Sequence, residues 1–377
     1  MKSHVFFADL KVDSGKNLLN KLDTLLDRTD LKGKIREKDF VAIKLHFGER
    51  GNTGFVRPIF LRKIVDRVKQ LKGKPFLTDT NTLYIGTRSE AISHLTTAYE
   101  NGFTESAVGA PLIIADGLRG NSAIKVRIDK PLFKTVSIAH EIYMADTLVC
   151  VTHFTGHELS GFGGALKNLG MGCSSREGKL SQHSNISPKV KAKDCKGCEL
   201  CLGWCPQQAI SIRPPLPGQK DKHGIAFIDP EKCIGCGECI LTCPTGAILI
   251  QWNETIPIFQ KKMVEHAYGA IQNKKGKVLY LNFLTQVSPA CDCNSYSDTP
   301  IVNDIGILSS EDPVAIDQAS VDLVNGEAGN PSSKLSKNRN PGEDKFRALY
   351  PEVDWSIQLA YGEEIGLGTR EYELARI

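Results

Sequence analysis

The 377-residue sequence predicts an α/β protein whose parallel-sheet portions are interrupted by a small cysteine-rich module. Three observations carry this. Over the first 150 residues, short apolar runs rich in β-branched and aromatic residues alternate with helix-period segments, the pattern of buried parallel strands joined by helices. The alternation returns after Trp252. Between the two stretches, eight of the twelve cysteines crowd into residues 195–243. Predicted strands are His4 to Ala8, Phe40 to Leu45, Pro75 to Leu77, Pro111 to Ala115 and Thr147 to Thr152. Predicted helices are Asn17 to Asp27, with leucines at 18, 19, 22, 25 and 26, then Ile59 to Leu71 and Ser89 to Glu100. After the module come a helix from Ile258 to Ile271, a strand from Lys277 to Leu284, a capped helix from Asp312 to Leu323 and a polar surface loop from Gly329 to Glu343. The expected organisation is an α/β domain at 1–187, the module at 188–252, and an α/β portion at 253–377 that completes or packs on the first.

The cysteines repeat one spacing, Cys195-x2-Cys198-x2-Cys201-x3-Cys205-Pro206 and Cys233-x2-Cys236-x2-Cys239-x3-Cys243-Pro244. This is the signature of an α+β bacterial-type ferredoxin with two [4Fe-4S] clusters, in which the fourth cysteine of each run ligates the other cluster. The expected ligand sets are therefore Cys195, Cys198, Cys201 and Cys243, and Cys233, Cys236, Cys239 and Cys205. Structural zinc sites use two separated C-x2-C pairs instead of two triplets. The composition, 41% hydrophobic and 24% charged with net charge +4, is that of an ordinary soluble protein. There is no run of eighteen apolar residues, and the first residues hold too short an apolar stretch for a signal peptide. A cytoplasmic protein with no membrane or nucleic-acid partner is expected, and a reducing compartment argues against disulfides among Cys150, Cys173, Cys291 and Cys293. Lys189, Lys191, Lys193 and Lys196 form either a solvated turn or a docking patch for an acidic electron carrier.

Outside the module, reactive side chains concentrate in His153-Phe-Thr-Gly-His157-Glu158, Gly161-Phe-Gly-Gly-Ala-Leu-Lys167-Asn168, Cys173 and Gln182-His183. They follow the predicted strand ending at Thr152, on the carboxyl-end side where open α/β sheets place ligands. The interleaved glycines permit close backbone approach. The segment reads either as a functional pocket or as a loop packed on the module. A second loop, His46-Phe-Gly-Glu49-Arg50 through Arg57-Pro58, also leaves a strand's carboxyl end and opens a helix. Arg50 and Arg57 there could hold a carboxylate or phosphate. Thr78 to Thr82, which continues the strand ending at Leu77, reads either as another loop facing the same crevice or as a cap of the next turn. Cys291-Asp292-Cys293 is open to three readings: a metal ligand pair, a redox dithiol, or two buried soft side chains. No G-x-G-x-x-G follows the first strand, so a nicotinamide or flavin site has no support.

His153-Phe-x-x-His157, Gly161-Phe-Gly-Gly-x-x-Lys167-Asn168-Leu-Gly170, Asn282-Phe-Leu, Cys291-Asp-Cys293 and Asp304-Ile-Gly-Ile-Leu-x-x-x-Asp312-Pro-Val-Ala-Ile-Asp317 together resemble the family known as domain of unknown function 362, members of which often carry a ferredoxin insert. The resemblance covers nearly the whole chain and names no reaction. A fainter one, on His157, Lys167 and His183 around Phe-x-Gly-Gly-x-x-Lys, is to the nickel-pincer lactate racemases. It implies Lys167 as a cofactor tether, His157 and His183 as a nickel ligand and an acid/base, and Arg57 as a carboxylate-binding arginine. The iron–sulfur module is foreign to those racemases, so this resemblance implies a shared scaffold and pocket position.

The expected function is a reductase that takes electrons from a donor such as ferredoxin, passes them through two [4Fe-4S] clusters and delivers them to a small anionic acceptor between the α/β portions. His157, Lys167 and His183 are the expected catalytic residues. His46, Arg50, Arg57 and His153 are the expected substrate-binding ones, with room for a further metal or organic cofactor near Lys167. An electron-transfer adaptor without catalysis is the alternative, and a racemase-like enzyme with scaffold clusters a third.

Overall fold

The computed structural model describes residues 2–184, 187–215 and 224–377. One eight-stranded sheet runs through the α/β part in the order Tyr372–Arg376, Ser3–Asp9, Gly306–Ser310, Val278–Leu284, Thr147–His153, Phe40–Lys44, Lys74–Asp79 and Leu112–Ile114. Neighbours are parallel except at Gly306–Ser310, which is antiparallel to the strands on both sides. The two central strands, Thr147–His153 and Val278–Leu284, are buried along their whole length. They lie on either side of the module in the sequence, yet pair directly from Val278 with Leu148 to Phe283 with His153. The portion after the module thus contributes strands to the same sheet.

The two-residue period of a strand sorts side chains between the two faces. Val149 and Val151 join Leu279 and Leu281 under the helix Pro58–Gln70, which buries Leu61, Ile64, Val65 and Val68 at helical spacing. Leu148, Cys150 and Tyr280 face the other layer, with Val264 and Ala267 of the helix Ile256–Ile271 and Val314 and Ala315 of Pro313–Gly326. From Phe40–Lys44 the chain builds outward through Lys74–Asp79 to Leu112–Ile114, then returns to place Thr147–His153 on the opposite flank. A switch point therefore lies between Phe40–Lys44 and Thr147–His153, and such a switch opens a crevice at the carboxyl ends.

The expected strands and helices are found to within a few residues. Three features were not foreseen. Gly306–Ser310 and Tyr372–Arg376 extend the sheet, the second as a half-exposed edge strand with the charge-interrupted sequence YELAR. A hairpin, Ala123–Arg127 with Thr135–Ala139, stands apart from the sheet. The glycine-rich stretch and the residues after it fold into a short ribbon, Thr155–His157 with Gly161–Gly163, and two helices, Ala165–Gly170 and Arg176–His183.

The module pairs Lys189–Val190 with Ile248–Leu249 and Ile210–Arg213 with Ile225–Ile228, and adds the short helices Leu200–Gly203 and Glu238–Thr242. Its two ends meet: the Ser184 hydroxyl donates to Asn253 Oδ1 at 2.8 Å and Gln251 Nε2 to the Ser187 carbonyl at 2.8 Å.

Candidate functional site

The eight module cysteines line two cavities. Cys195, Cys198, Cys201 and Cys243 surround one, with Ile212, Ala226 and Ile248. Cys205, Cys233, Cys236 and Cys239 surround the other, with Ile210, Ile228 and Ile234. Gly197, Gly235 and Gly237 have positive φ, which lets each loop turn inward on its thiols. Backbone N–H groups of Ala209, Ala226 and Ala247 donate to the sulfurs of Cys205, Cys195 and Cys243 at 3.2, 3.5 and 3.2 Å. Four soft donors around an apolar cavity, with N–H groups turned to the sulfurs, fit an iron–sulfur cluster. The thiols stand around a space: among the described residues, no three His, Cys, Asp or Glu side chains close on a single ion.

The cavity of the 233–239 run faces the α/β body. Glu238 accepts from Arg119 Nε at 2.8 Å and Asn121 Nδ2 at 2.9 Å, and the Arg119 guanidinium stacks 3.8 Å from the Trp204 ring centre. Gly237 lies so close to Arg176 that a Cβ would come within 2.9 Å of its Cδ. Arg176 opens the helix Arg176–His183, and His183 closes it. The other cavity looks outward, with Cys198 exposed beside exposed Lys189, Lys191, Lys193 and Lys196.

At the carboxyl ends of Phe40–Lys44 and Lys74–Asp79 the body holds a cluster of buried charges. Lys44 is 1% exposed, Arg88 2% and Asp79 3%. Lys44 Nζ contacts Asp79 Oδ1 at 2.9 Å and donates to Asn168 Oδ1 at 2.7 Å, while Asn168 Nδ2 donates to the Val151 carbonyl at 3.0 Å. Arg88 reaches Asp79 Oδ2 at 3.5 Å and Glu49 Oε2 at 3.2 Å, and donates to the Tyr84 hydroxyl at 3.0 Å. Burial alone would raise the Asp79 pKa, but Lys44 and then His46, His94 and Arg88 hold it well below the usual carboxylate range.

Lys167 projects from the helix Ala165–Gly170 across Gly163. Asp317 positions that helix by accepting the Ala165 and Leu166 amides at 2.7 and 2.9 Å. Gly164 has to be glycine, since a Cβ would lie 2.3 Å from Asp317 Oδ1. Lys167 Nζ donates to Cys291 Sγ at 2.9 Å. Burial opposes the lysine's charge, but the Cys291 and Cys293 sulfurs outweigh it and raise its pKa. In return, Cys291 is brought down to about 6, first by the Cys293 side chain and, against burial, by Lys167.

The expected catalytic residues come together. His157 and His183 stack on Phe259 with ring centres at 6.5 and 4.8 Å, and both are within electrostatic reach of Lys167. His157 Nδ1 accepts the Leu159 and Ser160 amides at 3.2 Å each, which puts its proton on Nε2. Burial and then Lys167 push the His157 pKa well down; burial, then His157 and Lys167, push His183 down to about 3. Both rings are therefore neutral near pH 7, which differs from the near-neutral titration expected of a free imidazole.

The expected substrate-binding residues divide. His46 stands at the crevice, its Nδ1 accepting the Gly48 amide at 3.0 Å, its pKa held down first by burial and then by Arg88. His153 spends both ring nitrogens inside the protein, Nδ1 on the Asp292 carboxylate at 2.9 Å and Nε2 on the Thr285 carbonyl at 2.7 Å. Asp292 and Thr285 both accept, so His153 is an imidazolium strut between two strand ends. Arg50 lies on the surface in a two-point pair with Glu100, each contact 2.7 Å, and Arg57 is exposed at the start of the helix Pro58–Gln70. Lys44, Asp79 and Arg88 went unrecognised as site residues. The one sequence signal was Lys44 closing an otherwise apolar strand.

The family model for "Domain of unknown function (DUF362)" matches residues 41–322, and the chain belongs to that family. Among curated proteins it is 32% identical over 84 residues to one subunit of the ferredoxin/F(420)H(2)-dependent CoB-CoM heterodisulfide reductase of Methanosarcina acetivorans, over 19% of this chain and 10% of that one. It is 35% identical over 80 residues to one subunit of the selenate reductase of Mesobacillus selenatarsenatis, over 21% of this chain and 25% of that one. It is 41% identical over 59 residues to an uncharacterised ferredoxin of Methanocaldococcus jannaschii, over 15% of this chain and 33% of that one. The chain thus spans a third or less of each of these relatives. Among solved structures, the lactate racemase apoprotein from Thermoanaerobacterium thermosaccharolyticum is similar at 13% identity and a TM-score of 0.35, over 76% of this chain and 51% of that one. Among the described residues, no helix is long and apolar enough to cross a membrane.

Proposed function

We propose that the chain is an iron–sulfur reductase that accepts electrons from a donor such as a ferredoxin and delivers them to a small anionic acceptor in the crevice. Two [4Fe-4S] clusters, held by Cys195, Cys198, Cys201 and Cys243 and by Cys233, Cys236, Cys239 and Cys205, supply low-potential one-electron chemistry when bound. The observation that carries the reading is the helix Arg176–His183. Its first residue packs on Gly237 of one cysteine run, and its last is the His183 that shares Phe259 with His157 beside Lys167. Eight residues of helix make the link roughly 12 Å long. The relatives named as a ferredoxin and as components of reductases support iron–sulfur electron transfer.

In the crevice, Lys167 supplies the fixed positive charge and His46 a polar wall. His157 offers its Nε2–H, because the Leu159 and Ser160 amides occupy Nδ1. An anion that neutralises Lys167 would remove one of the two influences holding down His157 and so ease its protonation on arrival of the acceptor.

The test uses the whole chain purified anaerobically. About eight iron and eight sulfide per chain are expected. Lys167→Ala and His157→Ala should abolish turnover of the acceptor while cluster content and reducibility by dithionite stay intact. The adaptor reading is favoured by exposed Cys198 among lysines; it predicts undiminished electron delivery in both variants. Cys205→Ser should disturb the cluster of the 233–239 run, and damage confined to the 195–201 run would overturn the crossed ligand sets.

A further inference from the structure

The turn Cys291-Asp292-Cys293 sits at the crevice with its backbone and its middle residue already committed. The Asn294 amide closes it on the Cys291 carbonyl at 3.0 Å. The Asp292 carboxylate is held by His153, the Asp292 carbonyl accepts the Glu49 amide at 3.0 Å, and the Cys293 carbonyl accepts the Tyr84 hydroxyl at 3.0 Å. What remains is the pair of sulfurs. Cys291 Sγ accepts from Lys167 Nζ at 2.9 Å and from the Cys293 amide at 3.2 Å, and the Cys293 side chain faces it directly. Cys291 is buried and Cys293 half-buried, so the second sulfur is the one nearer solvent. A lysine amine set on a sulfur stabilises the thiolate, which is the nucleophilic form. A neighbouring thiol two residues on is the arrangement by which a mixed disulfide is resolved.

We propose that Cys291 and Cys293 are a redox-active dithiol, with Cys291 the attacking thiolate, Cys293 the resolving thiol, and a small disulfide the class of acceptor. This rests on the reductase reading and names its substrate class. The Cys291 thiolate attacks one sulfur of the acceptor, the acceptor S–S bond breaks, and the departing thiolate takes a proton from Lys167, which regains one from solvent. Cys293 then attacks Cys291 Sγ, and the proton it gives up passes to the thiolate that is expelled, so the second half of the acceptor leaves as a thiol and a Cys291–Cys293 disulfide remains. The acceptor has gained two electrons and two protons. Two one-electron transfers from a low-potential iron–sulfur donor, with one proton to restore the Cys293 thiol, return the pair to thiol and thiolate. The buried Cys150 and Cys173 take no part.

The experiment uses anaerobic holoprotein reduced with dithionite, freed of reductant, exposed to glutathione disulfide in excess over the electrons stored on the reduced clusters, alkylated and digested for mass measurement. The doubly alkylated peptide containing Cys291 and Cys293 should disappear and an internally disulfide-bonded form replace it, with Cys150 and Cys173 still thiols. In Cys293→Ser, glutathione should remain attached to Cys291. Recovery of both thiols alkylated in wild-type protein after the disulfide treatment overturns the dithiol, and that measurement needs no variant to fold. Attachment to Cys293 instead, seen in Cys291→Ser but not in Cys293→Ser, overturns the assignment of roles. The two proposals fail separately. If the Cys291→Ser, Cys293→Ser double variant with reduced clusters still reduces glutathione disulfide, the dithiol falls and the reductase stands. If the disulfide forms but reduced clusters never reopen it, the dithiol stands without the reductase.

Discussion

The module and the crevice solve opposite problems. The module's core is Cys201, Ile210, Ala226, Ile228, Cys239, Ile240 and Ile248, and two of those seven are cysteines proposed as cluster ligands. Its strands are two to four residues long. So small a core does not offset the entropy of ordering the chain, and small domains of this kind lean on a metal group. The α/β body has two apolar layers, one on each face of the sheet, and can carry the nearly dry charges Lys44, Asp79 and Arg88 at its edge. One region is expected to need a cofactor to fold; the other uses a folded body to hold ions where water would not.

The largest expected effect comes from removing the metal. Anaerobic chelation should release residues 188–252 to proteolysis and hydrogen exchange, while Thr147–His153 and Val278–Leu284 keep their protection. Equal loss of protection in those two strands would erase the distinction, and make the clusters a support for the whole chain. Next comes Asp79→Ala, which leaves Lys44 and Arg88 without the carboxylate they meet at 2.9 and 3.5 Å. Breaking a buried pair by removing one partner costs about 3–5 kcal/mol, read as a shift of the denaturation midpoint at unchanged iron content. A shift under about 1 kcal/mol, within the range of exposed pairs, would mean that water reaches the cluster.

The same contrast governs what the sequence discloses. The cysteines that line the two cavities are legible because three of every four lie within seven residues, so spacing alone groups them. The crevice is assembled from positions 44, 79, 88, 153, 167 and 291, and no local pattern links them. Asp79 looked like part of a turn because its partners are a strand-end lysine and an arginine nine residues on. The motif around Gly164 was legible as important, but its cause, the Asp317 carboxylate more than 150 residues away, is a matter of packing. The central strands could be read because they are apolar throughout; the edge strand Tyr372–Arg376 could not, because half its surface is in water.

His153 gives a smaller effect with a pH signature. Burial lowers its pKa, and the Asp292 carboxylate more than reverses this, so the folded value lies above the ordinary 6.5. A base whose pKa is raised on folding contributes stability that is complete below about 6.5 and fades as pH rises through the folded value. The advantage of wild type over His153→Gln should therefore be largest at pH 6, about 1–3 kcal/mol, the range for a buried polar group left unpaired, and shrink across that window, whereas Cys291, whose pKa is lowered on folding, contributes the opposite slope equally to both proteins. Parallel Tm profiles for the two proteins would show that His153 is neutral and that the strut carries no charge.

The smallest effect is expected at Arg50, and it separates surface from crevice most cleanly. Arg50 and Glu100 are 56% and 46% exposed, and their two-point contact lies in water, where ion pairs contribute little. Arg50→Ala should leave Tm, iron content and acceptor turnover where they were. Lys167→Ala, by contrast, should stop turnover at the same cluster content. The informative departure is kinetic. A raised KM at unchanged kcat in Arg50→Ala would mean that the guanidinium leaves Glu100 to hold the acceptor in ground and transition state alike. Glu100→Ala should then lower KM by freeing the arginine, whereas a purely structural surface pair would leave KM untouched in both variants.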